Sequence, residues 1–409
     1  MKKFNIPFSP PDMTEAEVNE VREAILSGWI TTGPRTKELE RQIANYVGVE
    51  RAVCLNSQTA CAEMALRLLG ITHGDEVIVP AYTYTASASV VWHVGAKIVF
   101  VDVQPDSLEM NYEAVEAAIT ERTKAIIPVD LAGIPCDYDR LFEIVERKKN
   151  LFRPANDIQR ALGRIAICAD AAHAFGASWH GKMVGSIADF TSFSFHAVKN
   201  FTTAEGGAST WCLPESVYSE GVTDAQIYKF YQLLSLHGQN KDALAKTKVG
   251  AWEYDIIGPW YKCNMTDIMA AIGLKQLDRY LGLLERRAVM MKRYDETCDK
   301  LGISHLFHHV KGMDSSNHLY LIRIPGIDVE KRNMIIEKMA ERGVATNVHY
   351  KPMPMMTAYK SLGWDIKDFP NSYDYYQNLI SLPFHTLLSD DDVEYVCEVL
   401  KEVVNEIRG

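Results

Sequence analysis

The chain has 409 residues, 47% of them hydrophobic and 23% charged, and its 43 lysines and arginines against 53 aspartates and glutamates leave a formal net charge of -10. At about 150 residues per domain this length predicts two or three domains with a core that needs no metal or disulfide support. The acidic balance argues against nucleic acid or an anionic membrane as the main partner, although net charge says little about any one cleft.

The chain opens with Thr14-Glu15-Ala16-Glu17, a capping box, followed by Val18, Val21 and Ile25 at helical spacing and by Gly28 as a stop. From Ala52 onward short β-rich runs alternate with helical stretches: AVCL at 52–55, EVIV at 76–79, KIVFVD at 97–102, KAIIPV at 124–129, RIAICA at 164–169, FTSFS at 190–194 and GASTW at 207–211. That rhythm predicts a mostly parallel sheet with helices on both faces. Thr266 and Asp267 begin one long helix in which Leu274, Leu277, Leu281, Leu284, Ala288 and Met291 recur at three- and four-residue steps. A strand over 317–324, a helix around 330–342 and a last helix from about Ser389 to Ile407 then predict a smaller α+β domain.

The eight cysteines, Cys54, Cys61, Cys136, Cys168, Cys212, Cys263, Cys298 and Cys397, form no CxxC pair, and no histidine cluster has metal spacing. Reduced thiols, a cytoplasmic location and no metal are expected. The start, Met1 to Pro7, lacks the apolar region of a signal peptide, and the most apolar stretch, 88–101, is broken by His93 and Lys97, so no membrane span is expected.

In open α/β sheets, ligands bind outside the carboxyl ends of the strands. Asn56-Ser57-Gln58-Thr59-Ala60 follows the run 52–55 and leads into a helix, which suits an anion as well as a plain Ser/Thr cap. Pro80-Ala81-Tyr82-Thr83-Tyr84-Thr85 places aromatic rings after the run 76–79, for packing or for stacking on a flat ligand. RIAICAD ends in Asp170, with His173 three positions on; a carboxylate there is either a helix cap or a functional acid. Lys199, between the run 190–194 and Gly206-Gly207, reads alone as a surface lysine. A desolvated lysine in that place forms a Schiff base readily. Neither G-x-G-x-x-G after the first strand nor G-x-x-x-x-G-K-[ST] occurs. A lysine, a carboxylate, a stacking ring and an anion cradle together fit pyridoxal phosphate.

These residues resemble the DegT/DnrJ/StrS-type nucleotide-sugar aminotransferases, pyridoxal-phosphate enzymes of fold type I. The similarity runs from SGWITTGP at 27–34 through SFHAVKNFTTAEGG at 194–207 and NMTDIMAAIGLKQL at 264–277 to ISLPFHTLLSDDDVEYV at 380–396. It implies an α/β three-layer sandwich with a mostly parallel sheet, like aspartate aminotransferase. A large cofactor domain would span 1–270 and a smaller α+β domain 271–409.

The resemblance further implies that Lys199 bonds the cofactor, Asp170 pairs with its pyridine nitrogen and His173 lies against the ring. Tyr84 would stack on the opposite face, and Thr59, Ala60 and Ser194 would hold the phosphate. Tyr261-Lys262-Cys263-Asn264 is closest to the branch of the family that makes 4-amino-4-deoxy-L-arabinose on UDP, and Asn264 or Lys262 would reach the phosphate of a neighbouring subunit. The stretch 213–255 is longer than in many members. Trp29, Thr31 and Gly33-Pro34 resemble a family loop near the sugar, though SGWITTGP alone reads equally as a helix stop and turn, and the segment 348–352 resembles the family's loop toward the substrate.

L-Glutamate and a nucleotide-linked keto sugar are the implied substrates, 2-oxoglutarate the co-product, and a homodimer with shared active sites the implied assembly. Relatives that act as sugar 3-dehydratases carry His at the lysine position, so Lys199 favours amino transfer over dehydration. It also favours an enzyme over a regulatory protein of the same fold.

Overall fold

In this computed structural model residues 5–241 and 253–408 are described. Residues 1–4 of the chain start and 242–252 of the long stretch 213–255 lie outside them. Nine strands come first: β1 (Ala52–Leu55), β2 (Glu76–Pro80), β3 (Lys97–Val101), β4 (Thr123–Ile126), β5 (Ala166–Asp170), β6 (Ser178–Trp179), β7 (Lys182–Met183), β8 (Phe190–Ser194) and β9 (Gly207–Trp211). Five follow: β10 (Ser304–His305), β11 (His309–Val310), β12 (Met313–Asp314), β13 (Tyr320–Arg323) and β14 (Leu379–Leu382).

The main sheet has seven strands in the order β1-β9-β8-β5-β4-β2-β3. Only β9 runs against its neighbours; the other pairings within the sheet are parallel. The carboxyl ends of β1, β2, β3, β4, β5 and β8 therefore share one edge. Successive side chains of a strand face opposite ways. In β2, Val77 and Val79 enter the core beneath the helices Gln58–Leu68 and Thr85–His93, while Ile78 enters the core beneath the helices Tyr112–Ala118 and Tyr138–Arg147. Both faces are covered, which gives three layers and explains why the strands read as continuous apolar runs. Pro128, which has no N–H to donate, follows β4, and pairing resumes only as a single bridge between Val129 and Asp170.

The C-terminal part builds the antiparallel sheet β10-β13-β14 under the helices Tyr280–Leu301, Val329–Glu341 and Asp390–Arg408. Tyr294, Ile322, Ile335, Val396 and Val403 form its core, and Ile6 from the chain start joins them beside Val344. A second small sheet, β11-β12-β6-β7, takes two strands from each part of the chain. Among the described residues no helix is long and apolar enough to cross a membrane.

The expected single helix from Thr266 is two helices, Asp267–Asp278 and Tyr280–Leu301. Arg279 leaves helical geometry at φ -116° and ψ 6°, and its guanidinium is held by Glu17 at 2.9 Å and Asp12 at 3.0 Å. The even apolar spacing does not mark one buried face, since Leu274 packs in the core of the main-sheet part, Leu281 is exposed and Met291 joins the core of the C-terminal part.

The helix Pro34–Val47 receives no cap from its own Gly33. Asp267, fully buried, supplies it from far along the chain: Oδ1 accepts the N–H of Gly33 at 2.8 Å, the N–H of Thr36 at 2.9 Å and the Thr36 hydroxyl at 2.7 Å, and Oδ2 accepts the N–H of Arg35 at 3.1 Å. A Cβ on residue 33 would lie 2.7 Å from Oδ2, so the contact requires glycine. The carboxylate also meets the positive end of the helix dipole. Asp267→Ala strands these buried donors and is expected to lower stability by about 2–4 kcal/mol in urea denaturation, with Asp267→Asn losing less because one acceptor oxygen stays. An unchanged midpoint in Asp267→Ala would contradict this role.

Candidate active site

The shared edge of the sheet gathers the polar strand ends. After β1, Ser57 caps the helix Gln58–Leu68, its hydroxyl accepting the Ala60 N–H at 3.1 Å. The N–H groups of Gln58 and Thr59 have no acceptor among the described residues, so the positive helix end keeps two open donors there, and Ala60 has already spent its own. β9 passes so close that a Cβ on Gly207 would sit 2.5 Å from the Gln58 nitrogen. Ser194 ends β8 beside it. Asn264 bridges to Leu55 on the other side of β1, and its amide donates to the Thr32 hydroxyl at 2.6 Å while its oxygen accepts from the Lys262 ammonium.

Asp170 ends β5 and is 4% exposed. Its Oδ2 accepts the Ser87 hydroxyl at 2.6 Å and its Oδ1 the Ala172 N–H at 3.2 Å. Burial raises its pKa, opposed by the Ser87 and Ala172 hydrogen bonds and the nearby Lys199 charge. Lys199 is half-buried in the turn between β8 and β9, where its N–H bonds the His196 carbonyl at 2.9 Å. Burial lowers its pKa to about 8, with the Asp170 carboxylate pulling the other way. Among the described residues no hydrogen bond or ion pair holds the Lys199 ammonium. A buried amine that loses its proton near neutrality is a nucleophile and a base.

His173 is buried next to them. Its Nδ1 accepts the Ala132 N–H at 3.1 Å, so in the neutral ring the hydrogen sits on Nε2, which meets the Tyr350 hydroxyl at 3.1 Å. Burial, with the Lys199 and His349 charges, holds the His173 pKa well below the usual range, and the ring is neutral. The His318 ring lies 4.5 Å away and shares a hydrogen bond of 2.9 Å with Asn200. Tyr84 precedes the helix Thr85–His93 with its ring 59% exposed and 5.7 Å from that of Tyr350.

Asp170, His173, Tyr84 and Lys199 thus converge, with Thr59, Ala60 and Ser194 along the same edge and Asn264 outside β1. Sequence reasoning missed Ser87, Ala132 and His318, whereas Tyr350 lies in the segment 348–352 that the resemblance pointed to. Ser87 carried a usable signal, since it lies three residues after Tyr84, one helical turn on. Ala132 carried none, because it acts through its backbone in a left-handed conformation with φ 57°. A cavity of about 960 Å³ lies at the opposite edge of the sheet between Glu76, Trp92, Lys97, Arg122 and Trp364 and is lined by none of the expected residues. Among the described residues no group of three His, Cys, Asp or Glu side chains could hold a metal ion.

Residues 11–401 match the model of the DegT/DnrJ/EryC1/StrS aminotransferase family. The spore coat polysaccharide biosynthesis protein SpsC of Bacillus subtilis is 35% identical over 98% of this chain and 97% of its own. The UDP-4-amino-4-deoxy-L-arabinose–oxoglutarate aminotransferase of Shewanella sediminis is 33% identical over 98% of each chain. Among solved structures, the PMP-form of a Streptococcus pneumoniae protein assigned as a sugar aminotransferase superposes with a TM-score of 0.95 at 56% identity, covering 98% of this chain and 100% of that one. Its PLP-form superposes at 0.94 with 54% identity, covering 99% of this chain and 100% of that one.

The depressed lysine pKa gives a direct expectation. Modification of Lys199 by an amine-directed reagent, followed by peptide mass spectrometry, should rise with a midpoint near pH 8, well below an ordinary lysine. Asp170→Asn removes the charge that favours the ammonium and should move the midpoint lower still. A midpoint above 10, near the ordinary lysine value of about 10.4, would contradict the desolvated site.

Proposed function

The chain belongs to the DegT/DnrJ/EryC1/StrS aminotransferase family, and we propose that it is a pyridoxal-phosphate enzyme that moves the amino group of L-glutamate to C4 of a nucleotide-linked keto sugar, leaving 2-oxoglutarate. The observation that carries this reading is the half-buried Lys199 with its lowered pKa beside the buried Asp170. The oxoglutarate and UDP-sugar in the name of the Shewanella relative support the donor and the carrier, and the Bacillus relative's name supports a place in polysaccharide synthesis.

The residues fit the cofactor by the chemistry of their donors. The open N–H groups of Gln58 and Thr59 at a helix start, with the Thr59 and Ser194 hydroxyls, suit a phosphate dianion, and the close approach of Gly207 leaves this cradle its shape. Ala60 joins it by exchanging its Ser57 contact. Asp170 suits a protonated pyridine nitrogen, Tyr84 offers a flat face, and His173 offers an Nε2–H. When bound, the cofactor supplies a ring that accepts the electron pair left when a proton departs the carbon bearing the amine.

Lys199 moves that proton. With the cofactor bound, its Nζ would take it from the α-carbon of glutamate and pass it to the cofactor, and in the second half would take it back and deliver it to the sugar carbon that receives nitrogen. Asp170 stays ionised throughout and keeps its partner nitrogen protonated. We place these groups in a cofactor domain spanning 1–270, with 271–409 as the smaller domain, in a cytoplasmic homodimer. Asn264, with Lys262 on its oxygen, serves the phosphate site of the second copy.

Purified protein loaded with pyridoxal phosphate should show an absorption band that shifts when L-glutamate is added, with release of 2-oxoglutarate. A keto sugar on UDP, GDP or dTDP should then restore the band and yield one amino sugar per turnover. Lys199→Ala should lose the band and at least about a thousandfold in rate. A wild-type protein that takes up no pyridoxal phosphate would overturn the reading.

A further inference from the structure

The helix Thr85–His93 contributes more than Tyr84 to this site. Its third residue, Ser87, is fully buried and donates to Asp170 Oδ2 at 2.6 Å, and the Thr83 hydroxyl, 1% exposed, lies 2.8 Å from the Ser87 hydroxyl. We propose that Thr83 and Ser87 form a one-way hydroxyl chain that holds the Asp170 carboxyl ionised and fixes its position relative to Tyr84. Both are positioning residues, acting through Asp170.

The direction follows from counting hydrogens. An ionised carboxylate only accepts, so Ser87 must donate to it, and the Ser87 oxygen is then free to accept the Thr83 hydrogen. Every hydroxyl hydrogen in the chain has a partner. If Asp170 were protonated on Oδ2, it would donate to Ser87, Ser87 would turn its hydrogen to Thr83, and the Thr83 hydrogen would have no further acceptor among the described residues. Protonation on Oδ1 would place the hydrogen on the oxygen that already receives the Ala172 N–H. Buried polar groups without partners are costly, so the chain favours the ionised form.

The groups facing Asp170 make such a device useful. Lys199 and the Gln58 amide favour its charge, whereas burial and the Asp130 carboxylate on the neighbouring strand end oppose it, and Tyr350, facing it from the C-terminal part, stays protonated. Thr83, Tyr84 and Ser87 are consecutive parts of one loop and helix start. The chain therefore sets the carboxylate and the flat ring in one rigid frame, ready for opposite parts of the same planar ligand.

The consequence for catalysis rests on the reading of Asp170 as the cofactor's carboxylate, whereas the chain itself does not, and the test separates the two. In cofactor-free protein, infrared spectroscopy across pH follows the protonated carboxyl band of Asp170, assigned by its absence in Asp170→Asn. Ser87→Ala should raise the protonation midpoint by about 1 pH unit, a tenfold change. Thr83→Val, which keeps the residue's shape, should raise it less, and Ser87→Thr should match wild type. Unchanged midpoints in a folded Ser87→Ala overturn the proposal; if that variant does not fold, an unchanged midpoint in Thr83→Val does so. In a second arm, pyridoxal phosphate should bind Ser87→Ala about tenfold more weakly at pH 7, with rescue by Ser87→Thr. Wild-type protein that binds no pyridoxal phosphate overturns the proposed function and leaves the infrared result standing.

Discussion

A carboxylate taken out of water must be met by charge or by hydrogen bonds, because an ionised group left alone in the interior is too costly to persist. Asp170 is such a group, and its surroundings answer to it. Ser87 and the Ala172 N–H take its oxygens, Lys199 lies within electrostatic reach, and the neighbouring Asp130 is itself neutralised toward its protonated form, its pKa raised to about 7 by burial. The same desolvation that strains Asp170 lowers the Lys199 pKa to about 8. One physical constraint thus supplies both a base near neutrality and a fixed negative charge.

The fold brings these groups together through strand direction. Because β5 and β8 run parallel, Asp170 and the turn carrying Lys199 leave the sheet at the same edge, and β1 and β2 add the helix start at Gln58 and the ring of Tyr84. Contacts far apart in sequence hold that edge. Asp267 ties the loop before Pro34 to the helix that follows Asn264, and Tyr350 reaches from the C-terminal part to His173.

Much of this was legible in the residues. β1, β8 and β9 coincide with their predicted runs, since short apolar segments bounded by turn residues leave little freedom; β2, β3 and β5 shift by a residue or two, and β4 ends three residues early, short of Pro128. The resemblance named Lys199, Asp170, His173 and Tyr84, and all four converge at one edge. What stayed hidden follows a pattern. The sheet β11-β12-β6-β7 is made of two-residue strands, too short for any period to show. The break at Arg279 depends on Glu17 and Asp12, hundreds of residues away in sequence. Ala132 acts through a backbone N–H, and the Ala60 N–H, expected to hold a phosphate, is held by the Ser57 hydroxyl. Local pattern reports local chemistry, while tertiary hydrogen bonds decide which donors remain open.

The central claim is that the Asp170 and Lys199 pair organises the site around one planar cofactor. A crystal structure of the protein with pyridoxal phosphate tests this most directly. The account predicts continuous density from the cofactor to Lys199 Nζ, its ring nitrogen within hydrogen-bond distance of the Asp170 carboxylate and its phosphate on the N–H groups of Gln58 and Thr59. A cofactor joined to another lysine, or a ring nitrogen turned away from Asp170, would contradict it.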